Sequence, residues 1–62
     1  MFIIKITSDQ VSEIAQEFIA EFGKRKVETR KSEYCLYIDT KDRERINKVI
    51  GKKNLPVFVE QK

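Results

Sequence analysis

The sequence predicts a small α+β domain in which two helices cover one face of a four-stranded antiparallel sheet. Three observations predict this class. The apolar residues of 11–22 recur with helical spacing. Several short segments have the length and the β-branched or aromatic content of strands. A second, weaker helical pattern precedes the last of these strand-like segments.

The first strand is FIIKIT, residues 2–7, and the first helix follows it directly. Thr7, Ser8 and Asp9 are favourable N-cap types, and Thr7 with Gln10 predicts a capping box. Gly23 follows the helix, where a left-handed residue favours glycine. The predicted buried face of this helix consists of Val11, Ile14, Ala15, Phe18, Ile19 and Phe22.

The second half of the chain predicts a hairpin, a helix and a last strand. Strands at 27–30 and 34–39 flank a turn at 31–33. Asp39 and Thr40 are the expected N-caps of the second helix, with Gly51 and Asn54 at its end. The last strand is VFVEQ, residues 57–61, opened by a proline.

The resulting order is β-α-β-β-α-β over a single domain, residues 1–62. It predicts the ferredoxin-like, split βαβ plan, with strand order 4-1-3-2. The first and third strands, which this order places in the centre, are also the most apolar ones.

Composition argues against catalysis and against cofactors. The chain has 62 residues, one cysteine, two glycines and no histidine. A disulfide within the chain is therefore excluded, the usual zinc ligands are missing and no glycine-rich phosphate loop exists. We expect no enzyme activity, no metal and no cofactor, and we expect Cys35 to be an inert structural thiol.

The N-terminal segment MFIIKIT lacks the basic and long apolar regions of a secretory signal, and no apolar run is long enough for a membrane span. The lone cysteine fits a reducing compartment. We therefore expect a complete, cytoplasmic protein without membrane contact.

Charge is distributed unevenly along the chain. Residues 1–23 carry Lys5 against four acidic residues, whereas 24–62 carry most of the 13 basic residues. Such asymmetry is typical of contact with a polyanion, but the two halves would also neutralise each other after folding. Glu17 and Glu21 on the first helix would pair with basic residues of the second.

Alternation of strand side chains predicts which residues face the helices. The predicted helix-facing set is Phe2, Ile4, Ile6, Val27, Thr29, Tyr34, Leu36, Ile38, Val57 and Val59. The opposite face would display Ile3, Lys5, Lys26, Glu28, Arg30, Cys35, Tyr37, Phe58 and Glu60.

This second face has two candidate functions. The first is a homodimer or protein-partner surface formed by Ile3, Cys35, Tyr37 and Phe58, because an apolar patch is rarely left in water. The second is a nucleic-acid platform formed by Lys5, Lys26, Arg30, Lys31, Tyr37 and Phe58, although KSEYCLYID lacks the glycine and spacing of the RNP1 motif. A register shift that turns Tyr37 inward would leave neither function.

The leading hypothesis is a small non-enzymatic interaction module or regulator that binds itself or a protein partner through its sheet. Its short Lys/Ile/Glu-rich chain is also typical of modulators encoded by phages or mobile elements. The alternative is a protein that binds single-stranded DNA or RNA.

Overall fold

The structure is a computed structural model that describes all residues, 1–62. It contains two α-helices and a four-stranded antiparallel sheet, so the predicted α+β class is confirmed. The strands lie in the order β2-β3-β1-β4. The elements are β1 (Phe2–Ile6), α1 (Val11–Phe22), β2 (Val27–Arg30), β3 (Cys35–Ile38), α2 (Arg43–Lys53) and β4 (Val57–Gln61), with 3₁₀ turns at Lys24–Lys26 and Lys31–Glu33.

One apolar core holds these elements together. Its twelve buried residues come from both helices and from one face of β1, β2 and β3. Val57 and Val59 of β4 are half-buried against this core. No polar or charged residue is buried, so no desolvation cost offsets the apolar gain, which is roughly 1.5–3 kcal/mol for each large side chain. The core residues are Phe2, Ile4, Ile6, Val11, Ile14, Ala15, Phe18, Val27, Leu36, Ile38, Ile46 and Val49.

The start of α1 differs from the prediction. The capping box of Thr7 and Gln10 does not form, because the Thr7 hydroxyl donates instead to the Pro56 carbonyl at 2.8 Å. The Thr7 amide bonds the same carbonyl at 3.0 Å, which extends the pairing of β1 with β4. The Ser8 hydroxyl accepts a hydrogen bond from the Gln10 amide. The pairing of Thr7 with Pro56 therefore replaces the predicted local cap of α1.

Gly23 ends α1 with a φ of 92°, so the predicted need for glycine is confirmed. Its ψ of 148° is extended, so the residue is not in the left-handed helical conformation that was expected. The Gly23 amide donates to the Ile19 carbonyl at 2.8 Å and closes the last turn of the helix. A side chain at this φ would be strained.

The start and end of α2 also correct the prediction. Asp42, and not Asp39 or Thr40, is the N-cap, since its carboxylate accepts from the Arg45 amide at 3.2 Å. The Thr40 hydroxyl accepts from the Asp42 amide and shapes the preceding turn. Gly51 lies within α2, and the left-handed Asn54 ends it.

Two residues predicted to face the helices are exposed. Tyr34 precedes β3 rather than beginning it, has a φ of 54° and is 52% exposed. Thr29 lies on edge strand β2, in which Val27 alone is buried. The core therefore ends before it reaches the hairpin turn.

Candidate functional site

The sheet face opposite the core, called the open face here, carries two rows of cross-strand neighbours. In one row Arg30, Cys35, Lys5 and Phe58 lie side by side across β2, β3, β1 and β4. In the adjacent row the neighbours are Glu28, Tyr37, Ile3 and Glu60. Neither helix covers this face, because the core residues of these strands point the other way.

The apolar part of the open face runs from its centre to the β4 edge. Ile3 and Tyr37 are half-buried, on adjacent central strands. Phe58 lies on the edge strand and is 68% exposed, more than any other large apolar side chain. These three of the four predicted partner residues therefore present apolar surface to water.

Cys35, the fourth of them, lies on the open face but is only 6% exposed. Its cross-strand neighbours Lys5 and Arg30 flank it with long side chains. Burial raises the pKa of the Cys35 thiol, and the nearby Glu33 carboxylate acts in the same direction. The thiol therefore stays protonated at neutral pH and offers a partner little contact surface.

Basic side chains on the open face are paired with carboxylates. Lys5 lies 3.4 Å from Glu60, and the Lys26 ammonium is 4.0 Å from Asp39. Each of these pairs is exposed and is worth under about 1 kcal/mol. Each of them nevertheless places a carboxylate beside an ammonium that was predicted to contact phosphate.

Arg30 is the most extensively bonded of these cations. Its guanidinium bonds Glu28 at 2.7 Å and Glu33 at 3.4 Å. The hydrogen bond to Glu28 raises the pKa of Arg30, so the guanidinium stays charged at any ordinary pH. Lys31 differs from the other three cations, since it is exposed in the hairpin turn and forms no ion pair.

Two of the chain's own cations contact the Tyr37 ring. The Arg30 guanidinium lies 4.6 Å from the ring centroid, and the Lys62 ammonium lies 5.3 Å from it. Both distances are typical of cation–π contacts. A nucleic-acid base stacking on this ring would compete with them.

On the opposite side of the molecule, the predicted pairing between the helices is confirmed. Lys53 lies 3.5 Å from Glu17, and Arg45 lies 3.0 Å from Glu21. Arg45 also donates to the Glu21 carbonyl at 2.8 Å and stacks on Phe22 at 4.6 Å. Sequence periodicity gave no signal for these last two contacts.

The remaining concave surfaces are open to solvent, and the largest, of about 620 Å³, lies at the basic turn Lys24–Lys26 beside Asp39. A groove of about 230 Å³ between α1 and α2 is lined by both acidic and basic side chains. No cluster of three or more potential metal ligands exists. Neither helix has the length and apolar content needed to cross a bilayer.

Comparison with protein-family models, with curated proteins and with solved structures found no match to this chain.

Proposed function

We propose that this protein is a small non-enzymatic interaction module with a ferredoxin-like, split βαβ fold that forms a homodimer through its open face. The element order β-α-β-β-α-β supports the fold assignment. So does the sheet, which reads 4-1-3-2 from the β4 edge. A regulatory protein partner on the same face is the wider form of this proposal.

The single observation that carries the proposal is the apolar strip of half-buried Ile3 and Tyr37 and exposed Phe58 on the uncovered side of the sheet. A phenylalanine that is 68% exposed leaves most of its ring in water. Covering apolar surface gains about 25 cal/mol per Å². A chain this short also gains more than a large domain would from sharing surface with a second copy.

Charge favours a second copy over a nucleic acid. Lys5, Lys26 and Arg30 each have a carboxylate within 4.0 Å, so these three cations are paired within the chain. Two such faces meet without like-charge repulsion. A polyanion gains little there, because its binding depends mainly on unpaired cations and counterion release.

The test introduces a charge at the centre of the open face. Ile3→Glu is compared with Ser12→Glu, which places the same charge on an exposed position of α1. Light scattering after size exclusion should give at least twice the 7.4 kDa chain mass for the wild type. Ile3→Glu should halve the wild-type mass, and Ser12→Glu should not change it.

Phe58→Ser provides a second variant, because it removes an exposed ring and cannot disrupt the core. It should weaken the assembly at least tenfold while circular dichroism stays unchanged. If the wild type has the mass of one chain at a concentration of about 100 micromolar, the proposal is contradicted. The proposal is also contradicted by an assembly that is equally strong in both open-face variants.

A nucleic-acid binder gives a different result. It would shift in mass with a single-stranded oligonucleotide at low salt and lose that shift at high salt. The double variant Lys26→Glu, Arg30→Glu would abolish the shift. We expect no shift for the wild type.

A further inference from the structure

Strand β4 leaves one backbone edge without a partner. It is an edge strand of the sheet and pairs only with β1. Its five residues contain no proline and no bulge, since each of them has a single partner in the register. Such an edge is a template for pairing with another strand.

The hydrogen bonds at the two ends of β4 show which of its backbone groups point outward. The Thr7 amide donates to Pro56, and the Lys62 amide donates to Met1. Antiparallel hydrogen bonds recur at every second residue, so Phe58 and Glu60 bond to β1 between these two points. The amides and carbonyls of Val57, Val59 and Gln61 therefore face away from the sheet.

One of these outward groups already has a partner. The Val57 amide donates to the Leu55 carbonyl at 2.9 Å. The Val59 and Gln61 amides and the Val57 and Val59 carbonyls have none within the chain. They form an alternating series of donors and acceptors along the edge.

The opposite edge of the sheet is protected. Strand β2 has four residues, and exposed charged side chains, Glu28 and Arg30, alternate along it. A 3₁₀ turn precedes it and another follows it. Short, charged edges of this kind disfavour pairing with further strands. The two edges therefore differ in their ability to recruit a strand, and β4 is the receptive one.

We propose that β4 pairs antiparallel with β4 of a second copy, around a two-fold axis at Val59, and so joins two sheets into one of eight strands. In this register each Val59 amide donates to the Val59 carbonyl of the other copy. Each Gln61 amide donates to the other copy's Val57 carbonyl. These bonds form while the Val57 amide stays bonded to the Leu55 carbonyl of its own chain.

Alternative registers fit less well. While the Val57 amide stays bonded to Leu55, a two-fold axis at Phe58 would form only two bonds, from each Val59 amide to the other copy's Val57 carbonyl, whereas the axis at Val59 forms four. An axis at Glu60 would place two Glu60 carboxylates opposite each other, which is destabilising. With the axis at Val59, Phe58 lies opposite Glu60, whose charge Lys5 already neutralises. No like charges then face each other along the strand.

This interface is distinct from the open-face contact and does not depend on it. The two-fold axis is perpendicular to the sheet, so the open faces of both copies lie on the same side and form one larger surface. The open-face contact then joins two edge-paired dimers, and the complete assembly contains four chains.

The experiment uses proline substitutions to remove one outward amide, from the β4 edge in one variant and from the β2 edge in the other. Gln61→Pro deletes one of the two free amide donors of β4, and Thr29→Pro is its matched control on β2. The Asp39-to-Lys26 hydrogen bond places the Thr29 amide on the outward side of β2 by the same alternation. Both residues are exposed, so neither proline disturbs the core.

Light scattering should give four chains for the wild type and for Thr29→Pro, and two chains for Gln61→Pro. Ile3→Glu should also leave two chains, now held by the β4 edge, and the double variant Ile3→Glu, Gln61→Pro should be a monomer. Equal masses for Gln61→Pro and the wild type overturn the edge proposal. Failure of Ile3→Glu to change the mass overturns the open-face proposal instead.

Discussion

Tyr34 joins the hairpin turn to β3 with a φ of 54°, a left-handed conformation that a large aromatic residue rarely adopts. Its carbonyl accepts from the Ile6 amide at 2.9 Å and its amide donates to Lys31, so neighbouring bonds hold the backbone there. The ring itself is half in water. Tyr34 therefore carries a conformational cost that its side chain does little to offset.

Replacement of Tyr34 by glycine should be less destabilising than replacement by alanine. Both variants remove the ring, but alanine keeps the left-handed penalty, which is about 1 kcal/mol. Urea unfolding should therefore give Tyr34→Gly a free energy of unfolding about 1 kcal/mol above that of Tyr34→Ala. Equal values, or a more stable alanine variant, would contradict the strained conformation.

Cys35 makes the stability of the protein depend on pH above neutrality. Burial raises the pKa of the folded thiol, so the unfolded chain, with a thiol pKa of about 8.5, loses its proton first. The contribution of the protonated thiol is complete below the unfolded pKa and is lost as the pH rises through the folded pKa. The loss is at most about 1.4 kcal/mol per pH unit.

The measurement compares the wild type with Cys35→Ala by urea unfolding between pH 7 and pH 10. The difference between the two free energies of unfolding should be constant near pH 7 and should shrink above about pH 8.5. Subtraction of the alanine variant removes the contributions of lysine and tyrosine ionisation. A difference that does not change with pH would show that the folded thiol ionises as readily as the unfolded one.

At the scale of the elements, Arg45 connects the end of α1 to the beginning of α2. It pairs with the Glu21 carboxylate, donates to the Glu21 carbonyl and stacks on Phe22. The carbonyl belongs to the last turn of α1, where intrahelical partners are missing. The Arg45 side chain thus supplies a hydrogen-bond donor to a free carbonyl at the end of α1 and links the two helices.

Arg45→Ala should lower the free energy of unfolding by about 1–2 kcal/mol, the sum of an exposed ion pair, a hydrogen bond and a cation–π contact. Arg43→Ala is the matched control, because Arg43 is exposed on the same helix and forms no ion pair. Chemical unfolding at low ionic strength compares them. Equal losses in both variants would mean that the Arg45 contacts add no stability.

The helices and strands were largely predictable from sequence, because each has its own period. The apolar spacing from Val11 to Phe22 places α1 at its observed bounds, and β2 and β4 also begin and end as predicted. Errors arose where tertiary contacts compete with local rules. Thr7 bonds Pro56, 49 residues away, instead of capping its own helix.

The candidate site was predictable in membership but not in its electrostatics. Strand alternation places Ile3, Tyr37 and Phe58 on one face. The pairing of Lys5 with Glu60 depends on the register between β1 and β4, which the sequence does not specify. Likewise, the burial of Cys35 follows from which residues flank it across the sheet.

At the scale of the whole molecule, folding brings part of the acidic first third against the basic remainder of the chain. Glu17 and Glu21 of the acidic first third pair with Lys53 and Arg45 of the basic remainder. On the open face, Lys5, Lys26 and Arg30 have carboxylate partners of their own and lie around the apolar strip.

The most direct measurement is light scattering after size exclusion on the wild type and Phe58→Ser, each with and without a single-stranded oligonucleotide at low salt. We predict a wild-type mass at least twice that of one chain, a smaller mass for Phe58→Ser at equal concentration, and no effect of the oligonucleotide. A wild type with the mass of one chain that shifts only with oligonucleotide would contradict the central claim.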